Sequence, residues 1–157
     1  MKFMMWGMMA LIFREGTPQD LSALTQLEVL SFSEPWTEEG LLSLLEMEGS
    51  ALIVAEEDGE ILGYGAYTSV LDEGMIANLC VHPKARGQGI GRSLLDELLA
   101  KGRAQNLSTF FLEVRPSNLS AIAIYEKAKF VQVGKRKNFY RKPTEDAFIY
   151  QKNLGEE

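Results

Sequence analysis

From Val81 to Leu95 the chain reads Val-His-Pro-Lys-Ala-Arg-Gly-Gln-Gly-Ile-Gly-Arg-Ser-Leu-Leu. Glycines stand at 87, 89 and 91, cations at 84, 86 and 92, and no acid occurs from His82 to Leu95. An apolar run, Met75 to Val81, enters this stretch and reads as a strand. A patterned run, Ile90 to Leu99, leaves it and reads as a helix. A turn of that kind aims backbone N–H groups and a helix N-terminus at one point, and so receives an anion. A second residue is out of place. Glu113 sits in the apolar strand Phe110-Phe111-Leu112-Glu113-Val114. Buried there, its pKa would rise and make it a better base. The competing reading is a solvent-facing position on an alternating strand.

The elements around these residues follow from pattern and punctuation. Ala10 to Glu15 is the first strand. Thr17-Pro18-Gln19-Asp20 starts a helix, with Thr17 as N-cap, Pro18 at the first position and Asp20 complementing the dipole. Its expected apolar face is Leu21, Leu24, Leu27 and Val29-Leu30. Phe32-Ser33-Glu34-Pro35-Trp36 breaks this helix, and Thr37 begins another that buries Leu41, Leu42, Leu44 and Leu45. Ala51 to Glu56 and Glu60 to Tyr67 form a hairpin about Asp58-Gly59. Asp72-Glu73-Gly74 turns into Met75 to Val81, a third antiparallel strand. Helix Ile90 to Ala104 carries a stripe of Ile90, Leu94, Leu95, Leu98 and Leu99. Thr109 to Val114 then closes a right-handed parallel crossover. A short helix, Asn118 to Ala128, precedes a second hairpin from Phe130 toward Tyr140 and from Ala147 to Asn153. The order β-α-α-β-β-β-α-β-α-β-β is an α+β fold with a mixed, mostly antiparallel twisted sheet flanked by helices.

Composition narrows the chemistry. The 157 residues suit one domain with a real core, expected over 10–154. A single cysteine excludes an internal disulfide, and a single histidine argues against a serine–histidine triad or a histidine-rich metal site. A net charge of −6 argues against a general nucleic-acid binder. That total conceals an asymmetry: residues 1–80 hold 2 basic and 14 acidic side chains, residues 81–157 hold 14 and 8. Most of these are expected to be solvated surface. The sharper expectation is an anionic ligand held by the second half and a cationic substrate drawn by the first. Residues 1–9 are Met-rich and lead an apolar run too short to span a bilayer, with no small-residue cleavage site after it. They are read as an extension of unknown role.

Arg86-Gly87-Gln88-Gly89-Ile90-Gly91 resembles the acetyl-CoA signature of the GNAT N-acetyltransferases, and the element order is similar to theirs over nearly the whole chain. A glycine hexamer alone is weak evidence, but this one follows a strand and opens a helix. Four stretches narrow the resemblance to the RimI type, the ribosomal-protein N-terminal-alanine acetyltransferases. They are Phe32 to Trp36, Leu112 to Asn118, Ala123 to Glu126, and Arg136 to Tyr140 together with Glu145-Asp146-Ala147.

The resemblance implies a single-domain GNAT fold, with a parallel strand–helix–strand unit that binds acetyl-CoA as co-substrate and without metal. Arg86, Gly87, Gln88, Gly89, Ile90, Gly91 and Arg92 would hold its pyrophosphate. Leu79, Cys80 and Val81 would lie along its pantetheine arm in a gap between splayed strands, with a backbone N–H there polarising the thioester carbonyl. Asn118 would cap its helix and contact the cofactor. Glu113 would take a proton from the acceptor amine, and Tyr125 would protonate the leaving thiolate. Trp36, Tyr140 and Asp146 would meet the acceptor. For Trp36 and Tyr140 the alternative is ordinary packing, for Tyr125 a partly buried helix aromatic, and for Cys80 either an acyl-carrying nucleophile or a small buried hydrophobe. One departure stands out: the family places glycine before the phenylalanine that follows this helix, and this chain has Lys129.

The expected activity is therefore direct acetyl transfer to a free N-terminal α-amine, on a basic ribosomal protein. The expected setting is the cytoplasm, without nucleic acid or membrane. Two rivals stand beside it: a GNAT enzyme acting on a small amine such as a polyamine or aminoglycoside, and a non-catalytic CoA-binding module.

Overall fold

The computed structural model describes residues 10–155. Strand β1 (Leu11–Glu15) leads through one 3-10 turn, Pro18–Asp20, into helix α1 (Leu21–Ser31), and α2 (Glu38–Glu46) follows. Next come β2 (Ala51–Glu57), β3 (Glu60–Val70) and β4 (Glu73–Val81). Helix α3 (Ile90–Ala104), β5 (Thr109–Val114), α4 (Leu119–Lys127), β6 (Val131–Tyr140) and β7 (Glu145–Asn153) complete the order. The seven strands form one sheet, β1-β2-β3-β4-β5-β7-β6. Every pairing is antiparallel except β4 with β5, as the α3 crossover requires. The extension expected at residues 1–9 lies outside the described residues.

Both faces of the sheet are covered, and this explains why β2 is apolar at every position from Ala51 to Ala55. Leu52 and Val54 face Leu21, Leu24, Leu27, Leu41 and Leu44 of α1 and α2. Ala51, Ile53 and Ala55 face the α3 stripe Ile90, Leu94, Leu95, Leu98 and Leu99. Each such leucine contributes about 1.5–3 kcal/mol relative to exposure. The β2–β3 turn has positive φ at both Asp58 and Gly59, the primed geometry that matches strand twist.

Two expectations for α1 fail. Val29 and Leu30 are exposed, and the buried position beside Leu24 and Leu27 is taken by Glu28. Helical spacing accounts for it: 21, 24 and 28 lie on one stripe, whereas 29 and 30 turn off it. Asp20 does more than complement a dipole. It accepts 2.9 Å bonds from both terminal nitrogens of Arg14 and a 2.8 Å bond from Thr17 N–H.

Lys129 takes the left-handed conformation directly, with φ +75. Phe130 N–H donates to Tyr125 O and Lys129 N–H to Glu126 O, each at 3.0 Å. The Phe130 ring packs edge-on against Tyr125 at 5.7 Å. This is a Schellman ending with its apolar contact, built around a lysine where glycine is favoured.

Candidate functional site

Strands β4 and β5 pair only at their beginnings, Glu73–Met75 against Thr109–Phe111. Beyond Met75 they diverge: β4 stays with β3, and β5 stays with β7. The alternation of β4 decides which groups face the gap. His82 N–H donates to Leu62 O, so the even-numbered end of β4 bonds β3. Leu79 and Val81 therefore turn their backbone N–H and C=O groups away from β3, toward the gap.

The turn before α3 has the features of an anion cradle. Gly87 and Gly89 have φ +79 and +82, and a Cβ on either would meet nothing within 4 Å, so the strain of an L-residue and not crowding selects glycine there. Helices α2 and α4 have side-chain caps, Thr37 to Gly40 N–H and Asn118 to Ala121 N–H. Helix α3 has Gly89 at its N-cap and no capping side chain, so its first-turn N–H groups stay open to a ligand. A Cβ at Gly91 would lie 3.0 Å from Ile124 Cδ1, which fixes how closely α3 approaches α4. The cations are engaged within the fold. Arg86 donates to Val81 O (3.1 Å), Arg92 pairs with Asp96 (3.0 Å) and Lys84 pairs with Glu60. Gln88 is exposed and Ile90 is buried under the turn. These residues fit a pyrophosphate through backbone N–H groups and the helix dipole more than through free side-chain charge.

A cleft of about 450 Å³ opens at the strand gap. It brings together Trp36, Leu79, Glu113, Asn118, Tyr125 and Tyr140 from the sequence-based set. It does not include the α3 turn, Cys80, Val81 or Asp146. Cys80 points to the other side of the sheet, its thiol against Leu27 O and Ser31, and burial pushes it up to about 11. It is buried among the apolar residues of the α1–α2 face. Asp146 accepts a 2.8 Å bond from Asn138 N–H and faces Lys135 at 3.8 Å, which braces the β6–β7 hairpin.

Glu113 reaches the cleft because Leu112 and Val114 take the core side of β5. The carboxylate is not isolated in an apolar pocket, as its strand suggested. Its Oε2 lies 2.7 Å from Arg136 Nε. That contact is an ion pair without hydrogen-bond alignment, and this buried oxygen accepts no hydrogen bond. Tyr125 is 5% exposed, and burial raises its phenol well above the ordinary value, so the proton is held at neutral pH. Burial first, then the Glu113 charge, pushes Tyr140 up to about 12.

Several residues that the sequence reading left without a role build the cleft. Arg115 donates to Arg141 O (2.6 Å), Pro143 O (2.8 Å) and Glu145 (3.2 Å), and lies 4.5 Å over the Tyr140 ring. Glu34 accepts from Arg141 N–H at 2.8 Å and so joins the α1–α2 loop to the hairpin. Glu28, fully buried, accepts from Trp36 N–H (2.8 Å), Tyr64 O–H (2.5 Å) and Asn78 Nδ2. Desolvation raises its carboxyl above the ordinary value, and these donors oppose that. The signal for Glu28 was its place on the Leu21–Leu24 stripe.

Residues 21–130 match the model of the acetyltransferase (GNAT) family. The [ribosomal protein bS18]-alanine N-acetyltransferase of Escherichia coli (strain K12) is 34% identical over 127 residues, covering 81% of this chain and 84% of that one. The enzyme of that name from Haemophilus ducreyi is 34% identical over 125 residues, with coverages of 80% and 86%. The crystal structure of the ribosomal-protein-S18-alanine N-acetyltransferase from Escherichia coli superimposes with a TM-score of 0.86 at 30% identity, covering 92% of this chain and 94% of that chain.

Proposed function

The chain belongs to the acetyltransferase (GNAT) family, and from that premise we propose that it acetylates the N-terminal α-amine of a ribosomal protein, of the kind its relatives' names specify. The observation that carries the reading is the meeting of Glu113 and Tyr125 in one cleft at the point where β4 and β5 part. A proton acceptor on one wall and a proton-bearing phenol on the other suit an amine attacking a thioester. Acetyl-CoA, when bound, supplies the activated acetyl group.

In this reading the open N–H groups at the start of α3 and the dipole behind them hold the pyrophosphate. Arg86 and Arg92 add positive potential from their paired positions. Leu79 N–H is the donor for the thioester oxygen, and Asn118 borders the arm. Glu113 accepts the amine proton once the incoming amine has taken the place of Arg136. An α-amine, with pKa about 7.7–8.0, needs less help than a lysine at about 10.4. Tyr125 keeps its proton until sulfur departs and donates to it. Trp36 and Tyr140 flank the entering peptide, and Asp146 acts through the hairpin that carries Tyr140. Among the described residues no three or more His, Cys, Asp or Glu side chains are grouped as metal ligands would be, and no helix is long and apolar enough to cross a membrane.

Mass spectrometry of acetyl transfer tests the proposal. Peptides with the N-terminal sequence of the bS18 protein and a free α-amine should be acetylated at that amine. Matched peptides with a blocked N-terminus and free lysines should not. Acetylation of polyamines or aminoglycosides alone would replace the reading with a small-amine one. Acetyl-CoA binding with no transfer to any acceptor would point to a binding module.

A further inference from the structure

Asn78 lies between two groups that dictate its orientation. Its Nδ2 donates to Glu28 Oε2 and lies 3.0 Å from Tyr64 Oη. Its Oδ1 accepts from Leu79 N–H at 2.9 Å. The backbone N–H of Leu79 only donates, so the amide oxygen must face it and the amide nitrogen is left to face Glu28 Oε2. The other oxygen of Glu28 holds Trp36 N–H on the acceptor wall. A single hydrogen-bonded line therefore runs from the α1–α2 loop, through a buried carboxylate and an amide, to the N–H that faces the strand gap. Val81 O, the neighbouring gap-facing group, is likewise met by a side chain, Arg86.

We propose that Asn78 is a positioning residue that covers the Leu79 N–H with its side-chain oxygen, is locked in that orientation by Glu28, and gives up the donor to the thioester oxygen of an acyl-CoA. This rests on the assignment of Leu79 N–H as the thioester donor. A half-buried N–H without a partner is costly, and the cover removes that cost in the unliganded protein. The cover also competes with the ligand, and only with a ligand that has an acyl oxygen at that place. Free CoA carries the same nucleotide, pyrophosphate and pantetheine but no acyl carbonyl.

Calorimetric titration of the full-length chain with acetyl-CoA and with CoA separates these cases. Asn78→Ala, at a half-buried position, is expected to bind acetyl-CoA roughly two- to tenfold more tightly, the range set by one net hydrogen bond. CoA affinity is expected to stay unchanged. Glu28→Gln should act in the same direction. Its amide oxygen can still accept from Trp36 N–H, while its NH₂ donates to Asn78 Oδ1 and turns the other amide face toward Leu79 N–H, donor against donor. If Glu28→Gln does not fold, Asn78→Ala alone decides. A parallel change for CoA, no change for either ligand, or weaker acetyl-CoA binding overturns the proposal. Failure of the wild type to bind acetyl-CoA overturns the acetyltransferase reading itself, and is distinct from a wild type that binds and a variant that shows no selective change.

Discussion

Glu113 and Tyr125 face one cleft from a strand and a helix, and their environments differ. Glu113 has a guanidinium against it, whereas the Tyr125 ring is buried and its hydroxyl makes no hydrogen bond among the described residues. In the proposed reading the incoming amine displaces Arg136 before Glu113 takes its proton, while the raised phenol of Tyr125 keeps its own until sulfur departs. Glu113→Gln should lower kcat at pH 7 by about 10²- to 10⁴-fold, the usual worth of a positioned base. The loss should shrink toward pH 9, because an α-amine with pKa about 7.7–8.0 sheds its own proton there. A pH–rate profile parallel to wild type would remove Glu113 as the base. Tyr125→Phe deletes one hydroxyl and preserves the ring packing on Phe130. Transfer should slow by about 10²-fold or more with acetyl-CoA affinity nearly constant. Pre-steady-state rates equal to wild type would reject the acid role.

At the scale of elements, the ends of β4 and α4 matter most. Strand β4 leaves its parallel partner after three residues, and that divergence makes the cleft. Helix α4 fixes Tyr125 through its Asn118 cap and its Schellman ending at Lys129. An L-residue in the left-handed region costs about 1–2 kcal/mol, part of which glycine returns as unfolded-state entropy. Lys129→Gly is therefore expected to raise stability by up to about 1 kcal/mol, read as a higher urea midpoint at constant m-value. A lower midpoint would mean that the lysine side chain contributes more than its backbone costs.

Across the whole molecule, the charge asymmetry of the two halves is partly consumed in holding them together. Lys84 with Glu60, Lys101 with Glu15, and Arg115 with Glu34 each join the basic half to the acidic one. Only what remains after such pairing is available to attract a substrate. A second network lies within the first half, where Arg14 ties β1 to Asp20 and to Glu56 of β2. Arg14 holds the Asp20 carboxyl below its ordinary value, aided by Thr17. A carboxyl depressed in the folded state stabilises fully above its unfolded pKa of about 3.9, and that contribution disappears as pH falls through the folded value. Asp20→Asn should lower stability near pH 7 and flatten the acid limb below about pH 4, measured by urea unfolding across pH. An acid limb as steep as wild type would place the proton uptake elsewhere.

The sequence by itself determined the element order, the parallel crossover and the glycine turn, because each is written in local terms. Periodicity of 2 or 3.6, turn dipeptides and a helix start after Gly89 are visible within a few residues. Glu113 was visible as a charge in an apolar strand, and Tyr125 through the motif around it. Tertiary structure decided what depends on partners distant in the chain. It buried Glu28 in place of Val29 and Leu30, because three donors from the α1–α2 loop, β3 and β4 converge there. It set Arg136 against Glu113, kept Asp146 in its hairpin, and turned Cys80 away from the cleft. A buried carboxylate is tolerated only where its donors are assembled. Those donors lie 8, 36 and 50 residues from Glu28, separations at which no local pattern records a contact.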